Sequence, residues 1–226
     1  MQTIAAAALR TPAAIVLRGA GNMQCPGAAA VGQPQFLLKG EALFAEGDPS
    51  DYFYKVVSGS VRTYKLLSDG RRQIDAFYFA GGIFGLEAGA EHRFTAEALD
   101  TAKVLAFRRS RLAELSAGDP AFGDEVLASM VESLGRAQDH MLLLGCKTAP
   151  EKVATFLLDI ATRISGDKAH FDLPMQRSDI ADHLGLTIET VSRTLTQLVR
   201  DGLIALRAGS RSIDLCDMAG LRRLNS

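Results

Sequence analysis

The sequence predicts an α+β protein made of an N-terminal β-roll, one long helix and a C-terminal winged helix-turn-helix. Three patterns predict it: short strand-like runs broken by glycine, then an apolar heptad pattern, and finally two short helical segments joined by a glycine and followed by a hairpin. The predicted division has an extension at 1–34, a β-roll at 35–118, a helix at 119–147 and a winged helix-turn-helix domain at 148–226.

The first 34 residues are rich in alanine and glycine and contain no acidic residue. This composition is weakly typical of a targeting peptide, but the positively charged start is missing and the apolar run Ala5–Leu9 is short. We expect a loosely ordered extension.

The β-roll is predicted from turn signals and from strand-like runs between them. Val61–Leu67 is rich in β-branched and aromatic residues, Ser68-Asp69-Gly70 is a hairpin turn signal, and Gln73–Phe79 resumes the strand pattern. Apolar residues then alternate along Ala102–Phe107. Glycines recur at intervals of 11 or 12 residues, as in all-β sandwiches and barrels, at Gly47, Gly59, Gly70 and Gly82.

The long helix is predicted from an unbroken a/d heptad pattern after Asp119-Pro120. Its apolar positions are Leu127, Met130, Leu134, Ala137, Met141 and Leu144. Such a narrow stripe is typical of a helix that packs against a partner helix, so we predict the dimerisation seam of a homodimer here. The alternative is a helix buried against its own roll, which would need a wider apolar face.

The C-terminal domain is predicted to open with a core helix. Thr148 as N-cap and Glu151 three residues later form a capping box, and Gly166-Asp167 ends the helix. Its apolar face comprises Val153, Phe156, Leu157, Ile160, Ala161 and Ile164.

Two short helices joined by a glycine turn predict a helix-turn-helix. Ser178–Leu184 forms the first helix, Gly185 suits the left-handed conformation that ends it, and Thr187 can cap a second helix that runs to about Arg200. Asp201-Gly202 breaks that helix.

The second helix has one apolar and one polar face. The apolar face is Ile188, Val191, Leu195 and Leu198, which we expect to pack inward. The polar face is Glu189, Ser192, Arg193, Thr196 and Arg200. Arginine can bind guanine O6 and N7, and glutamate can accept a hydrogen bond from cytosine N4. The alternative is an ordinary solvated face, in which Glu189 and Arg193 form a surface ion pair.

A hairpin follows the second helix, with strand-like runs at 203–207 and 211–215 around Ala208-Gly209-Ser210. Between Arg193 and Arg223 there are six arginines and three aspartates, a local charge of +3. This hairpin is predicted to be a basic wing, whose charge has the right sign for a phosphate backbone.

Composition limits the remaining possibilities. At 47% hydrophobic and 23% charged, the chain of 226 residues can form one large or two modest globular domains. No apolar run reaches the roughly 18 residues that predict a membrane span. With 25 basic against 26 acidic residues, nucleic-acid binding must come from a local surface.

The cysteines and histidines give no indication of a metal or cofactor. Cys25, Cys146 and Cys216 are far apart, which argues against a disulfide framework and favours a reducing, cytoplasmic location. Three thiolates cannot hold an iron–sulfur cluster that needs four. We therefore expect no cofactor. An enzyme would need converging acid–base or ligand groups, for which His92 with Glu87 and Glu91 is the one candidate cluster, and we expect no enzymatic activity.

After residue 35 the chain resembles the CRP/FNR family of transcription regulators across nearly its whole length. The resemblance is most specific in residues 177–193, where Ala181, Gly185 and Val191 stand at the small, turn and core positions of the family motif. It implies a roll of the cyclic-nucleotide-binding jelly-roll type and a homodimer that binds double-stranded DNA and contacts RNA polymerase, without a membrane.

The resemblance also assigns roles within the helix-turn-helix. Glu189-x-x-Ser192-Arg193 matches the base-reading triplet of the FNR branch. It implies a palindrome with TTGA-type half-sites, in which Arg193 reads the guanine, Glu189 accepts from bases across the pair and Ser192 contacts a neighbouring base. The phosphate contacts implied by the family are Arg177, Thr187 and Thr190.

Two departures narrow the resemblance. The cluster-binding members carry a group of N-terminal cysteines, where this chain has only Cys25. The cyclic-nucleotide members carry Gly-Glu after the Phe-x-Gly turn and Arg followed by Ser or Thr. Here the residues are Phe84-Gly85-Leu86-Glu87 and Arg93-Phe94. Leu86 cannot bond a ribose hydroxyl, although Glu87 and Arg93 could serve in a shifted register.

Because the chain lacks both the cluster-binding cysteines and the full set of nucleotide-binding residues, it is most similar to the FixK subgroup. Members of this subgroup activate genes of microaerobic respiration and nitrogen fixation, and they often act without an effector. Activity would then be set by expression, turnover or oxidation of a thiol. The alternative is a regulator gated by a cyclic nucleotide or another small molecule.

Overall fold

The computed structural model describes residues 32–166, 169–207 and 211–224. The predicted extension, apart from its last three residues, lies outside these ranges, as do Cys25 and the tip of the predicted wing at 208–210.

The N-terminal half is a roll of two four-stranded antiparallel sheets, with the strand orders β1-β8-β3-β6 and β2-β7-β4-β5. Its strands are β1 Gln33–Leu37, β2 Ala42–Phe44, β3 Tyr52–Ser58, β4 Val61–Leu66, β5 Arg72–Tyr78, β6 Ile83–Phe84, β7 Thr95–Ala98 and β8 Ala102–Arg108. The predicted β-roll is therefore confirmed.

The predicted hairpin and alternation account for much of this roll. Gly70 turns the chain between β4 and β5 with a φ of 82°, a left-handed conformation that glycine adopts without steric cost. Along β8, Ala102, Val104 and Ala106 are buried and Lys103 and Leu105 are half-buried, as the alternation predicts, whereas Phe107 departs from it because it is buried against α2. At the next turn the positive φ of 89° belongs to Gly81, one residue before the predicted Gly82.

Two helices follow the roll: α1 Leu112–Gly118 and α2 Pro120–Cys146. The Asp119 carboxylate caps α2 by accepting from the Phe122 backbone N–H at 3.2 Å. One side of α2 packs on the chain itself, since Phe122 and Val126 are buried with Phe53 and Phe107 of the roll.

The C-terminal half is a winged helix-turn-helix, also as predicted. Its elements are α3 Ala149–Ser165, β9 His170–Asp172, α4 Arg177–Leu184, α5 Ile188–Arg200, β10 Ile204–Leu206, β11 Ser212–Leu215 and α6 Met218–Leu224. The Thr148–Glu151 capping box is present, with Thr148 N–H donating to Glu151 Oε2 at 2.7 Å. The apolar face of α3 is buried except for Ile164, which is 36% exposed.

The two halves share one apolar cluster. Ile74 and Phe77 of β5 are buried together with Phe156 of α3, Ile180 of α4 and Leu143 of α2. The cluster contains residues from the predicted roll, the predicted long helix and the predicted C-terminal domain, so packing does not separate these three parts. The predicted domain boundaries therefore stay a prediction. Among the described residues, no helix is long and apolar enough to span a membrane.

Candidate nucleic-acid interface

A glycine and two capping hydrogen bonds define the ends of α4 and the start of α5. Gly185 ends α4 with a φ of 62°, and Thr187 begins α5 by accepting a hydrogen bond from Thr190 N–H at 3.2 Å. At the other end of α4, Asp179 Oδ2 accepts from Gln176 N–H at 2.9 Å. The turn is therefore tight, and it fixes the angle at which α5 leaves α4.

The inner face of α5 is formed by Val191, Leu195 and Leu198, which are buried as predicted, and by Thr194. Ile188 was predicted to pack inward, and this prediction is wrong: the side chain is 48% exposed. Ile188 is the first residue of α5, and it lies at the margin of the buried stripe. An apolar side chain therefore lies at the surface beside Glu189.

The outer face of α5 carries the three predicted base-reading residues. Glu189 and Arg193 are exposed and Ser192 is half-buried. Arg177 of α4 reaches across, with its Nη1 donating to Ser192 Oγ at 3.3 Å, while Arg193 Nη2 donates to Thr190 Oγ1 at 3.4 Å. The polar surface thus spans both helices of the motif.

Glu189 is available as an acceptor on this surface. Its own backbone N–H, the Thr187 hydroxyl and nearby Arg193 all lower the pKa of its carboxyl group, so it stays ionised at neutral pH. In the described part of the chain, the Arg193 guanidinium bonds Thr190 rather than Glu189. The expected alternative of a Glu189–Arg193 ion pair is therefore not the arrangement found.

The wing lies next to this surface. β10 and β11 pair in antiparallel register, for example Ala205 with Asp214, which confirms the predicted hairpin. Arg207 and Arg211 are exposed where the two strands approach the tip, and Arg211 Nη1 donates to the Pro174 carbonyl at 3.0 Å. The third strand of this sheet, β9, was not predicted.

The side of α2 that faces away from the chain carries the predicted seam. Leu127, Leu134 and Met141 are 61%, 61% and 66% exposed, Met130 is 47% exposed and Ala137 is also exposed. Leu144 differs, because it is half-buried against the apolar cluster of the C-terminal domain. The exposed apolar stripe is also wider than the predicted seam, since Val131 and Leu142 are exposed at 63% and 62%. The position of Val131, four residues after Leu127 and therefore on the same side of the helix, could have indicated from the sequence that Val131 belongs to this stripe.

In the loop after β6, polar groups are engaged in hydrogen bonds within the roll. Glu87 Oε2 accepts from Arg93 N–H at 2.5 Å, and Arg109 donates to the Glu87 carbonyl and, at 3.0 Å, to that of Gly89. Between this loop and α2 lies a cavity of about 200 Å³, lined in part by Leu86 and by Phe94.

The candidate enzyme cluster is a packing arrangement in the roll. His92 is 2% exposed, and its ring stacks on that of Phe44 with centroids 3.5 Å apart. Its Nδ1 lies 3.4 Å from Glu87 Oε1, while Glu91 is exposed and forms a β-bridge with Pro49. A buried, stacked imidazole of this kind does not face a substrate site.

Comparisons with known families match both halves of the chain. A cyclic nucleotide-binding domain matches residues 34–119, and a Crp-like helix-turn-helix domain matches residues 151–224.

Several named proteins are similar over most of their length. The nitrogen fixation regulation protein FixK of Azorhizobium caulinodans is 46% identical over 202 residues, which cover 88% of this chain and 81% of that protein. FixK of Rhizobium meliloti is 45% identical, with 82% and 83% covered. The transcriptional activator protein FnrA of Stutzerimonas stutzeri is 37% identical, with 82% and 77% covered.

The fold is also similar to known structures. FixK2 from Bradyrhizobium japonicum superposes with a TM-score of 0.80 at 45% identity, covering 87% of this chain and 98% of that one. A CooA mutant from Carboxydothermus hydrogenoformans superposes with a TM-score of 0.75 at 23% identity, covering 91% and 93%. The second likeness concerns the fold alone.

Proposed function

This chain belongs to the CRP/FNR family of DNA-binding transcription regulators, and from this premise we propose that it is a homodimeric activator that binds a palindrome with TTGA-type half-sites. The observation that carries the proposal is the outer face of α5, where Glu189, Ser192 and Arg193 lie side by side at the surface. These groups stand near the start of α5, the end of a recognition helix that contacts base edges in the major groove.

Each reading residue has a chemical counterpart in the half-site. The Arg193 guanidinium donates two hydrogen bonds to O6 and N7 of the guanine, and the ionised Glu189 accepts from amino groups of bases across the pair. Ser192 contacts a neighbouring base. Exposed Ile188 adds a contact that the sequence alone did not indicate, because an apolar side chain in the major groove suits the C5-methyl group of thymine.

Backbone contacts hold the recognition helix in register. Arg177, Thr187 and Thr190 lie on the same surface as the reading residues, and we assign them to the phosphates on either side of the half-site. Hydroxyls and guanidinium groups at a helix start are suited to phosphate oxygens. The exposed Arg207 and Arg211 of the wing supply positive charge beside them.

Dimerisation brings two reading surfaces onto one palindrome. The proposed seam of α2 is Leu127, Met130, Leu134, Ala137, Met141 and Leu144. Apart from Leu144, which is half-buried, these side chains are exposed, and an exposed row of leucine and methionine supports an interaction surface rather than an ordinary helix exterior. Pairing two such helices would set the recognition helices about one turn of B-DNA apart, roughly 34 Å.

The proposed activator works without an iron–sulfur cluster and without a cyclic nucleotide. The whole chain has three cysteines, fewer than the four thiolates of a cluster site. Glu87, the acid a nucleotide would need, already accepts from Arg93 N–H. Since two of the relatives are named nitrogen fixation regulation proteins, we assign the chain to control of microaerobic or nitrogen-fixation genes through contact with RNA polymerase.

The test is selection of bound sequences from random duplex DNA by the purified full-length protein, with no effector added, followed by footprinting. We expect a palindrome with TTGA-type halves, protected symmetrically, and an affinity that millimolar cyclic AMP leaves unchanged. A single asymmetric site, or no sequence preference, would contradict the proposal.

A further inference from the structure

A cluster of charged side chains joins the roll to α4, the first helix of the helix-turn-helix. Asp179 Oδ1 of α4 accepts from Arg62 Nη1 at 2.5 Å and from Arg72 Nη2 at 2.6 Å. One turn along α4, Asp182 Oδ2 accepts from Arg72 Nε at 2.8 Å. Within the roll, Arg62 Nη2 also donates to Glu97 Oε1 at 2.7 Å. We call these five residues the interdomain joint.

Asp179 is the centre of the joint. It is 2% exposed, and its second oxygen caps the start of α4 through Gln176 N–H. One carboxylate therefore holds the beginning of α4 and attaches it to β4 and β5. Carboxylate–guanidinium hydrogen bonds shielded from water are stronger and more directional than surface ion pairs, and removing one partner leaves a costly unpaired charge.

A second set of contacts attaches the C-terminal end of α4 to β5 of the roll. His183 Nδ1 donates to the Ile74 carbonyl at 3.1 Å, and Gln73 Nε2 donates to the His183 carbonyl at 3.3 Å. From α3, Lys152 Nζ donates to the Leu184 carbonyl at 3.3 Å. The whole length of α4 is thus held, and the tight Gly185 turn passes this orientation on to α5.

We propose that Arg62, Arg72, Asp179 and Asp182 are positioning residues that set the separation of the two recognition helices in the dimer. The inference rests on the proposed function, because it concerns how a dimer spans a palindrome. Each reading surface is placed by its attachment to its own roll and α2, so a loose attachment lets the two surfaces vary in separation. Fixing the two surfaces at one separation then costs free energy when the dimer binds DNA, which weakens the affinity without altering the base contacts.

The test compares spacers in the palindrome. The full-length wild type, Arg72→Gln and Arg72→Lys are titrated with palindromes whose half-sites are at the selected spacing, or one base pair closer or farther apart. We expect Arg72→Gln to bind the selected spacing on the order of tenfold more weakly and to lose most of the preference among spacers. Its discrimination at the guanine should stay unchanged. Arg72→Lys, which keeps the charge and a donor, should restore most of the spacer preference.

The neighbouring residue provides a matched control. Arg71 is an arginine with a 77% exposed side chain, which bonds Asp69 within its own turn. Arg71→Gln makes the same chemical change outside the joint and should leave spacer preference intact. An Arg72→Gln protein that weakens equally on all spacers, or that loses guanine discrimination, would overturn the positioning role.

Hydrogen exchange in the absence of DNA separates this inference from the proposed function. We expect Arg72→Gln to speed amide exchange in α4 and β5, while Arg71→Gln does not. Unchanged exchange in Arg72→Gln together with retained spacer preference overturns the joint alone. A wild type that binds no palindrome overturns the proposed function and, with it, the positioning role, even where the exchange data still report a mechanical joint.

Discussion

Arg193 is exposed, and among the described residues its guanidinium donates one hydrogen bond, of 3.4 Å, to Thr190 Oγ1. A side chain with this freedom can turn to a base without breaking a costly internal contact. Glu189 on the preceding turn stays ionised because the local hydrogen bonds lower the pKa of its carboxyl group. The reading surface therefore presents one donor group and one acceptor group in neighbouring positions.

Replacing Arg193 with alanine should lower affinity for the selected palindrome by about 1–3 kcal/mol and relax the preference at one base pair of each half-site. The reason is loss of the bidentate contact to guanine. Anisotropy titrations with matched and guanine-substituted duplexes measure both effects. Arg200→Ala, at the far end of the same helix face, is the control and should keep the base preference. Retained guanine discrimination in Arg193→Ala would contradict the assignment.

The proposed contact between Ile188 and thymine can be tested by removing one methyl group from the DNA. Replacing the thymine that we propose Ile188 contacts with deoxyuridine should weaken wild-type binding by about 0.8 kcal/mol, the value of one buried methylene. Ile188→Ala should bind the two duplexes with nearly equal affinity, because the apolar partner of the methyl group is gone. Val199→Ala, another exposed apolar residue of α5 (38%), is the control. Equal sensitivity in wild type and Ile188→Ala would disprove the contact.

At the scale of helices and strands, local patterns predicted what local chemistry decides. The heptads of α2, the capping box at Thr148 and the left-handed Gly185 depend on residues three or four positions apart, and all three are present in the structure. The strand β9 escaped prediction, because three residues carry no period and its partner β11 lies about forty residues away. The exposure of Ile188 depends on the tertiary surroundings of the first turn of α5, which the helical period does not encode.

The exposed face of α2 gives the prediction for a whole element. Leu134→Glu should convert the proposed dimer to monomer, because pairing through the proposed seam would bury two unpaired carboxylates, at a cost of at least about 3 kcal/mol. Sedimentation velocity at micromolar concentration measures the change, and affinity for the palindrome should fall with it. Ala128→Glu places the same charge on an exposed position beside the seam and should stay dimeric. A dimeric Leu134→Glu would show that another surface mediates assembly.

For the whole molecule, the contacts between roll and helix-turn-helix matter most, and the sequence did not predict them. Arg62 and Asp179 are 117 residues apart, and Arg72 and Asp182 are 110 apart. No local period connects such pairs, since only the packing of β5 on α4 brings them together. The proposed reading residues were named from the pattern of one helix, whereas the charged residues that join that domain to the roll were not indicated by any local pattern.

The same boundary makes the stability of the molecule depend on pH. His183 of α4 is stacked on His140 of α2 with ring centroids 4.1 Å apart. Burial, followed by the neighbouring His140, lowers the pKa of His183 from its ordinary 6.5 to about 3, and burial with nearby Lys152 also lowers that of His140. Below its ordinary pKa the unfolded chain takes up a proton that folded His183 refuses. Stability is therefore full above about pH 6.5 and declines as the pH falls.

The part of this decline that belongs to His183 can be measured separately. Between pH 7 and pH 5, His183 alone should remove about 2 kcal/mol from the free energy of unfolding. His183→Gln should lose that part of the pH dependence, because glutamine can donate to the Ile74 carbonyl but does not titrate. Urea unfolding at the two pH values measures the difference. If His183→Gln keeps the wild-type pH dependence, the folded imidazole accepts a proton in this range, and the junction between α2 and α4 is open to water.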